Sequence, residues 1–398
     1  MPKPSRPPDS LLTPFSRRAR AMRSISRAWA APSRPAASRP AMSAPSSADP
    51  FAAGQRALAE NRATEAATLF EDAAKRAVDD IVRYSALLGL TRALSDQDRD
   101  GEAERACRAA IRLLPDRATA HAMLALLIER GGRAEAALDA AEQAAARAPR
   151  NPAMHNLVAS MALATRRDEA ALTHSDAALA IDPHDQRALS DRWLALWRLG
   201  RSDEARSLLD PQRDLLIEQS GGDLPRSMSK AILQAPGLDE PGLGLPLVDG
   251  LRLTDIAALP ASLVDRLHAR LRDTLSRYRL PGPPHPLATG RPAAPVFRGW
   301  ANIMRAGAYE RSHIHEGGWL SAVFYPAVPV AMDGGAILMG GHPRDEDRIA
   351  PVLELTPTAG MMLLFPSFLY HRTEPFRGAG RRLSVAIDIA RDGARSDF

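Results

Sequence analysis

Hydrophobic and polar positions follow two different periods along this chain of 398 residues. From about residue 51 to 210, leucines and alanines recur three and four apart, the spacing that lines one face of an α-helix. The pattern also repeats as a block. Pro115, Pro149 and Pro183 lie 34 residues apart, and so do Ala103, Ala137, Ala171 and Ala205. In three successive blocks the alanine precedes its proline by twelve residues, so two residue types keep one phase. An earlier segment, residues 63–74, fits with a three-residue slip. The block predicts stacked helix pairs, small residues standing where helices cross and proline following the second helix. Beyond it, Pro211 ends the last periodic helix and residues 211–246 read as a connector with a short helix near Arg226–Leu233. Ala261–Tyr278 again has helical spacing. From Val296 the period falls to two, with Trp300, Asn302 and Met304 sharing one strand face. Ser321–Tyr325, Ala336–Met339, Val352–Leu355, Met361–Phe365 and Leu383–Ile389 follow as short strands between glycine and proline turns, the pattern of a sandwich or barrel.

Composition changes this picture at one end. The chain is +5 overall, but residues 1–48 hold nine basic side chains and a single acid, Asp9. The remainder is slightly acidic, which argues against a nucleic-acid surface. Residues 1–50 are Pro/Ser/Arg-rich and lack apolar periodicity; they are expected to be a disordered basic tail, or a leader of the Arg-rich, acid-poor kind. Cys107 is the single cysteine, so no intramolecular disulfide exists, and a cytoplasmic setting is expected. It lies on an apolar helix face and reads as a buried thiol. No run approaches the ~18–20 apolar residues of a membrane helix.

The candidate chemistry lies between His313 and Ser384. His313 and His315 are two apart, so an extended chain aims both rings to one side. His371 follows the apolar run Met361–Phe365, and Arg382 and Ser384 form a later pair two apart. Close histidines, a distant histidine and a basic residue form a set that can hold a metal and an acid beside it.

With its flanks (G-W-L-S-A-V-F-Y, G-G-A-I-L, P-x-x-G, F-P-S-x-x-x-H and R-x-S), this order resembles the Fe(II)- and 2-oxoglutarate-dependent oxygenases. The 34-residue blocks resemble tetratricopeptide repeats, and the whole resembles the oxygenases that carry such repeats ahead of the catalytic domain. The resemblance implies a multidomain α + β chain: a basic tail (1–50), a TPR-like α-solenoid (51–210), a linker (211–246) and a double-stranded β-helix of jelly-roll, cupin-like type (247–398). It implies Fe(II) held by His313, His315 and His371, with 2-oxoglutarate as co-substrate and O₂ as substrate. Arg382 would bind the far carboxylate, with Ser384 and Tyr325 as hydroxyl partners and Asn302 beside the co-substrate or a water. The solenoid would present a protein or peptide through its concave groove; no nucleic-acid or membrane partner is expected.

One position departs from the family pattern: His315 stands where a carboxylate is usual. Glu316 should point away by strand alternation, and Asp333 is a second conceivable carboxylate. The substitution leaves two other readings open. One is a TPR interaction scaffold with a degenerate, non-redox metal-binding jelly roll. The other is a cupin-like three-histidine centre with no oxo-acid. His121, His155, His174 and His184 read as surface or packing residues, and His285 and His342 as loop residues without partners. Trp300 and Trp319 read as packing residues.

Overall fold

The structure is a computed structural model that describes residues 49–242, 245–282 and 284–390. The basic tail, up to residue 48, lies outside the described residues. The described chain forms two compact units, dividing at Ala170/Ala171.

The first unit is helical: α1 (Pro50–Ala59), α2 (Ala63–Arg76), α3 (Asp80–Ser95), α4 (Asp100–Leu113), α5 (Ala118–Arg130), α6 (Ala134–Arg147) and α7 (Pro152–Ala164). Local chemistry sets the helix starts. Asp49, Asp79 and Asn151 accept backbone N–H bonds as N-caps, and Pro50 and Pro152 occupy first-turn positions where no N–H is needed. Ala103 and Ala137 are fully buried, as are the equivalent Ala171 and Ala205 further on, because neighbouring helices cross over them. Phe70 fills the space between α1 and α3: a Cβ at Gly89 would lie 2.5 Å from its ring. The 34-residue period persists in hydrogen bonding. His121 Nε2 meets the Pro115 carbonyl and His155 Nε2 the Pro149 carbonyl, each at 3.0 Å. Both rings brace the turn before their own helix. Cys107 is buried and donates to the Ala120 carbonyl, and burial pushes its thiol up to about 12.

The second unit begins within α8 (Asp168–Ile181) and continues with α9 (Gln186–Arg198) and α10 (Ser202–Leu208). Strands then form a seven-stranded antiparallel sheet in the order β1-β9-β5-β12-β4-β3-β2. These are β1 (Leu216–Gln219), β2 (Leu238–Asp239), β3 (Leu247–Leu253), β4 (Val296–Glu310), β5 (Gly318–Ala327), β9 (Met361–Pro366) and β12 (Arg382–Ala390). A smaller sheet, β10-β7-β8, uses β7 (Ile337–Met339), β8 (Leu353–Leu355) and β10 (His371–Thr373), and β6 (Asp333–Gly334) pairs with β11 (Phe376–Arg377). Side chains of the two sheets meet inside, as in a double-stranded β-helix. The stretch expected as a connector is partly sheet: β1 pairs with β9 from Leu216↔Leu364 to Gln219↔Met361. It also carries α11 (Leu224–Gln234), which covers β5. Four residues are too few for a periodic signal, so β1 gave no sequence cue. The amphipathic helix is α12 (Ala261–Arg277), which buries Leu267 and Leu271. Arg270 and Arg277 of α12 pair with Glu218 of β1, fixing the helix to the sheet edge.

Candidate metal centre

His313 and His315 lie in the extended link between β4 and β5 rather than on a regular strand. His313 forms an isolated bridge with His371, each backbone N–H donating to the other's carbonyl at 3.0 Å. That pairing sets the two rings side by side, centroids 4.2 Å apart. The His315 ring lies 5.0 Å from His371 and 5.1 Å from His313, nearly parallel to the latter. All three are buried, and one nitrogen of each falls within 4.8 Å of the others. Among the described residues no carboxylate joins that cluster.

Hydrogen bonds set the tautomers. His313 Nδ1 lies 2.8 Å from the Arg311 carbonyl and His371 Nδ1 3.1 Å from the Leu369 carbonyl, so both must carry the proton there. His315 Nδ1 meets the Asp388 carboxylate. With those protons on Nδ1, each ring offers Nε2 as its ligand atom, and the Nε2 atoms of His313 and His315 are 3.3 Å apart. Nitrogens bound about 2.1 Å from one ion would be about 3–3.4 Å apart. The donor set thus fits a divalent transition metal.

Arg382, Ser384, Ala386 and Asp388 form one row on β12, opposite Met304, Asn302, Trp300 and Arg298 of β4. Arg382 is 0% exposed. It donates to the Gly335 carbonyl (2.6 Å), Thr373 Oγ1 (2.9 Å) and the Met304 sulfur. Gly335 has φ +75° and packs so closely on Phe376 that a Cβ would clash at 2.8 Å, so glycine is required there. Arg382 Nε is buried without a hydrogen-bond partner, and Glu310 lies within the field of the guanidinium. A carboxylate brought by a ligand would give that Nε–H an acceptor. Tyr325 is buried within the field of Arg382, its phenol pushed up chiefly by burial. Ser384 neighbours Asn302 across the ladder. Asn302 Nδ2 donates to Glu310 at 2.9 Å, and its Oδ1 is buried without a partner.

Three groups in the site had not been singled out from sequence. Glu310 is partly buried, and desolvation raises its pKa against the opposing pull of Arg382 and Arg252. Thr373 accepts from Arg382 through its hydroxyl and so helps to hold the guanidinium. Asp388 sits against His315. Even-numbered alternation from Trp300 would have aimed Glu310 inward, and alternation from Arg382 would have included Asp388. Glu316 turns away and pairs with Arg187 of α9. Asp333 is exposed on β6. His342 and His285 do have partners: His342 Nε2 meets Asp191 at 2.8 Å and His285 Nε2 meets the Leu208 carbonyl at 2.9 Å. Trp319 is buried and donates to the Leu287 carbonyl.

Three buried imidazoles thus form a cluster that could hold one metal ion, with a buried arginine in the same β domain. Comparison with known families supplies a class: residues 298–388 match the model described as "Putative 2OG-Fe(II) oxygenase". The C-terminal part of the chain carries that domain, preceded by helical repeats. No curated protein matches the chain. Several solved structures are similar to parts of it. A Pseudomonas putida prolyl-4-hydroxylase is 18% identical, covering 46% of this chain and 94% of its own, TM-score 0.35. MamA from Desulfovibrio magneticus RS-1 is 17% identical over 40% of this chain and 88% of its own, TM-score 0.36. YrrB, described as a TPR protein with an unusual peptide-binding site, is 14% identical over 40% of this chain and 80% of its own, TM-score 0.34.

Proposed function

We propose that the protein is an Fe(II)- and 2-oxoglutarate-dependent dioxygenase, a hydroxylase, whose repeats present a protein or peptide substrate or partner. The observation that carries the reading is the pairing of three clustered histidine nitrogens with a fully buried Arg382 whose Nε has no hydrogen-bond partner. His313, His315 and His371 hold the metal. Arg382 binds the far carboxylate of the oxo-acid through its fork, with Thr373 keeping the guanidinium flat against the wall. Ser384 and Tyr325 offer hydroxyls to the same carboxylate, and Asn302 turns a free acceptor toward the site. When bound, Fe(II) with the oxo-acid and O₂ would supply the oxidant for substrate hydroxylation. Trp300 and Phe365, packed on the histidine rings, keep bulk water from the centre. No described helix is long and apolar enough to cross a membrane; the single thiol fits a cytoplasmic enzyme.

The test is an anaerobic titration of the full chain with Fe(II) and 2-oxoglutarate, read by the weak visible charge-transfer band of the chelate. Wild type is expected to develop the band, and Arg382→Ala and His371→Ala to lose it. Absence of the band in wild type that still binds a metal would favour the non-redox scaffold or the three-histidine centre. Substrate delivery is tested separately: groove substitutions that leave succinate formation on the true substrate unchanged would remove that role from the repeats.

A further inference from the structure

The three ligands proposed above are neutral, so a divalent ion among them would sit in a buried site with no ligand charge. The structure holds an anion one step away. Asp388 is buried on the inner row of β12, facing Ser321 of β5 across the ladder. One carboxylate oxygen accepts from His315 Nδ1 and, at 3.0 Å, from Ser321 Oγ. Ser367 Oγ, 2.8 Å away, donates in turn to Ser321. The Ser367 carbonyl accepts the backbone N–H of His315 at 3.0 Å, so the same loop holds both ring and chain. Among the described residues His315 is the one basic group in ion-pair contact with Asp388. A buried carboxylate aimed at one imidazole, and braced from behind by two hydroxyls, is built to act through that imidazole.

We propose that Asp388 supplies, through His315, the negative charge that a carboxylate ligand would otherwise bring. Asp388 is a positioning residue. It fixes the His315 proton on Nδ1, aims Nε2 at the ion and makes the ring a stronger donor. The Asp388–His315 pair takes the place of the acidic ligand, which resolves why His315 can occupy that position. This inference rests on the proposed metal centre.

The experiment compares the full chain with Asp388→Asn, which keeps an acceptor toward His315 Nδ1 and removes the charge. Metal-free protein is titrated with Co(II) and followed by its visible absorption. The Fe(III)/Fe(II) midpoint potential is then measured on the iron-loaded forms. Asp388→Asn is expected to bind Co(II) about 10- to 100-fold more weakly and to shift the midpoint to higher potential. A merely structural role would not move the potential. If wild type binds no Co(II), the metal centre itself is wrong. If wild type binds and Asp388→Asn matches it in affinity and potential, the metal centre stands and the role of Asp388 is overturned. Should Asp388→Asn fail to fold, Ser321→Ala decides: loosening the carboxylate should weaken Co(II) several-fold, and unchanged binding overturns the proposal.

Discussion

His342 shows how a single buried ring can record pH. Its Nε2–H donates to Asp191 at 2.8 Å, while its Nδ1 accepts the Arg344 backbone N–H at 3.1 Å. Both nitrogens are committed to the neutral tautomer. Protonating Nδ1 would set two N–H groups against each other. Burial accordingly lowers the pKa below its usual 6.5, with Asp191 pulling the other way and Arg344 and Arg187 adding to the depression. A depressed folded-state pKa contributes stability that is present above the unfolded value and lost as pH falls through the folded one. Wild type should therefore lose stability on acidification below about pH 6.5 more steeply than His342→Gln, by at most about 1.4 kcal/mol per pH unit. Paired urea titrations of the two proteins between neutral and mildly acid pH measure it, and parallel curves would contradict it. Residue identity could reveal only part of this. His313, His315, His371 and Arg382 stood out because their spacing is unusual. His342 did not, because Asp191 lies 151 positions earlier and nothing local links them.

Long, regular elements were the most legible, but length alone did not decide: the three-residue β7 and β8 fall in stretches expected as strands, whereas the seven-residue β3 was not foreseen. α4, α6 and α8 carry a 34-residue phase in two residue types, and β4, β5, β9 and β12 are long enough for alternation or an unbroken apolar run to show. β6, β10 and β11 span two or three residues and were missed, although β10 begins with His371 itself. In such short strands the partner strand decides the conformation, not the local sequence. The helix crossings of the first unit are read best at their smallest residues. Gly89 faces Phe70, whose ring would lie 2.5–2.7 Å from an added Cβ. Gly54 lines the other side of the Phe70 ring, an added Cβ there lying 3.1 Å from it, and Phe51 meets it edge-on, so it has little room to move aside. Gly89→Ala gains helix propensity of about 1 kcal/mol but overpacks the crossing. The net expectation is a loss of up to about 2 kcal/mol, seen as a lower denaturation midpoint. A more stable Gly89→Ala protein would mean that the crossing opens freely.

At the scale of the whole chain, the boundary between compact units does not coincide with the end of the helical repeats. It falls within α8, so α9 and α10 belong with the sheets. Helix α9 begins with Asp185 as N-cap. Arg187 bonds Glu316, directly after His315, and the Tyr370 hydroxyl, directly before His371. One turn on, Asp191 holds His342, whose ring packs edge-on against Tyr370 at 4.5 Å. Helix α9 is thus a brace for both histidine-bearing segments. Its contribution to global stability should be small, because the Arg187–Glu316 pair is partly exposed and such pairs contribute up to about 1 kcal/mol. Its effect on the centre should be plainer, since loosening Glu316 and Tyr370 frees the backbone on either side of the bridge that pairs His313 with His371. Arg187→Ala should keep its denaturation midpoint within a few degrees of wild type yet bind Co(II) about three- to tenfold more weakly. Arg187→Lys should recover part of the loss by restoring the charge opposite Glu316 without the second contact to Tyr370. Equal Co(II) affinity in Arg187→Ala and wild type would show that the ligand segments hold their geometry without α9, and would reduce this helix to packing alone.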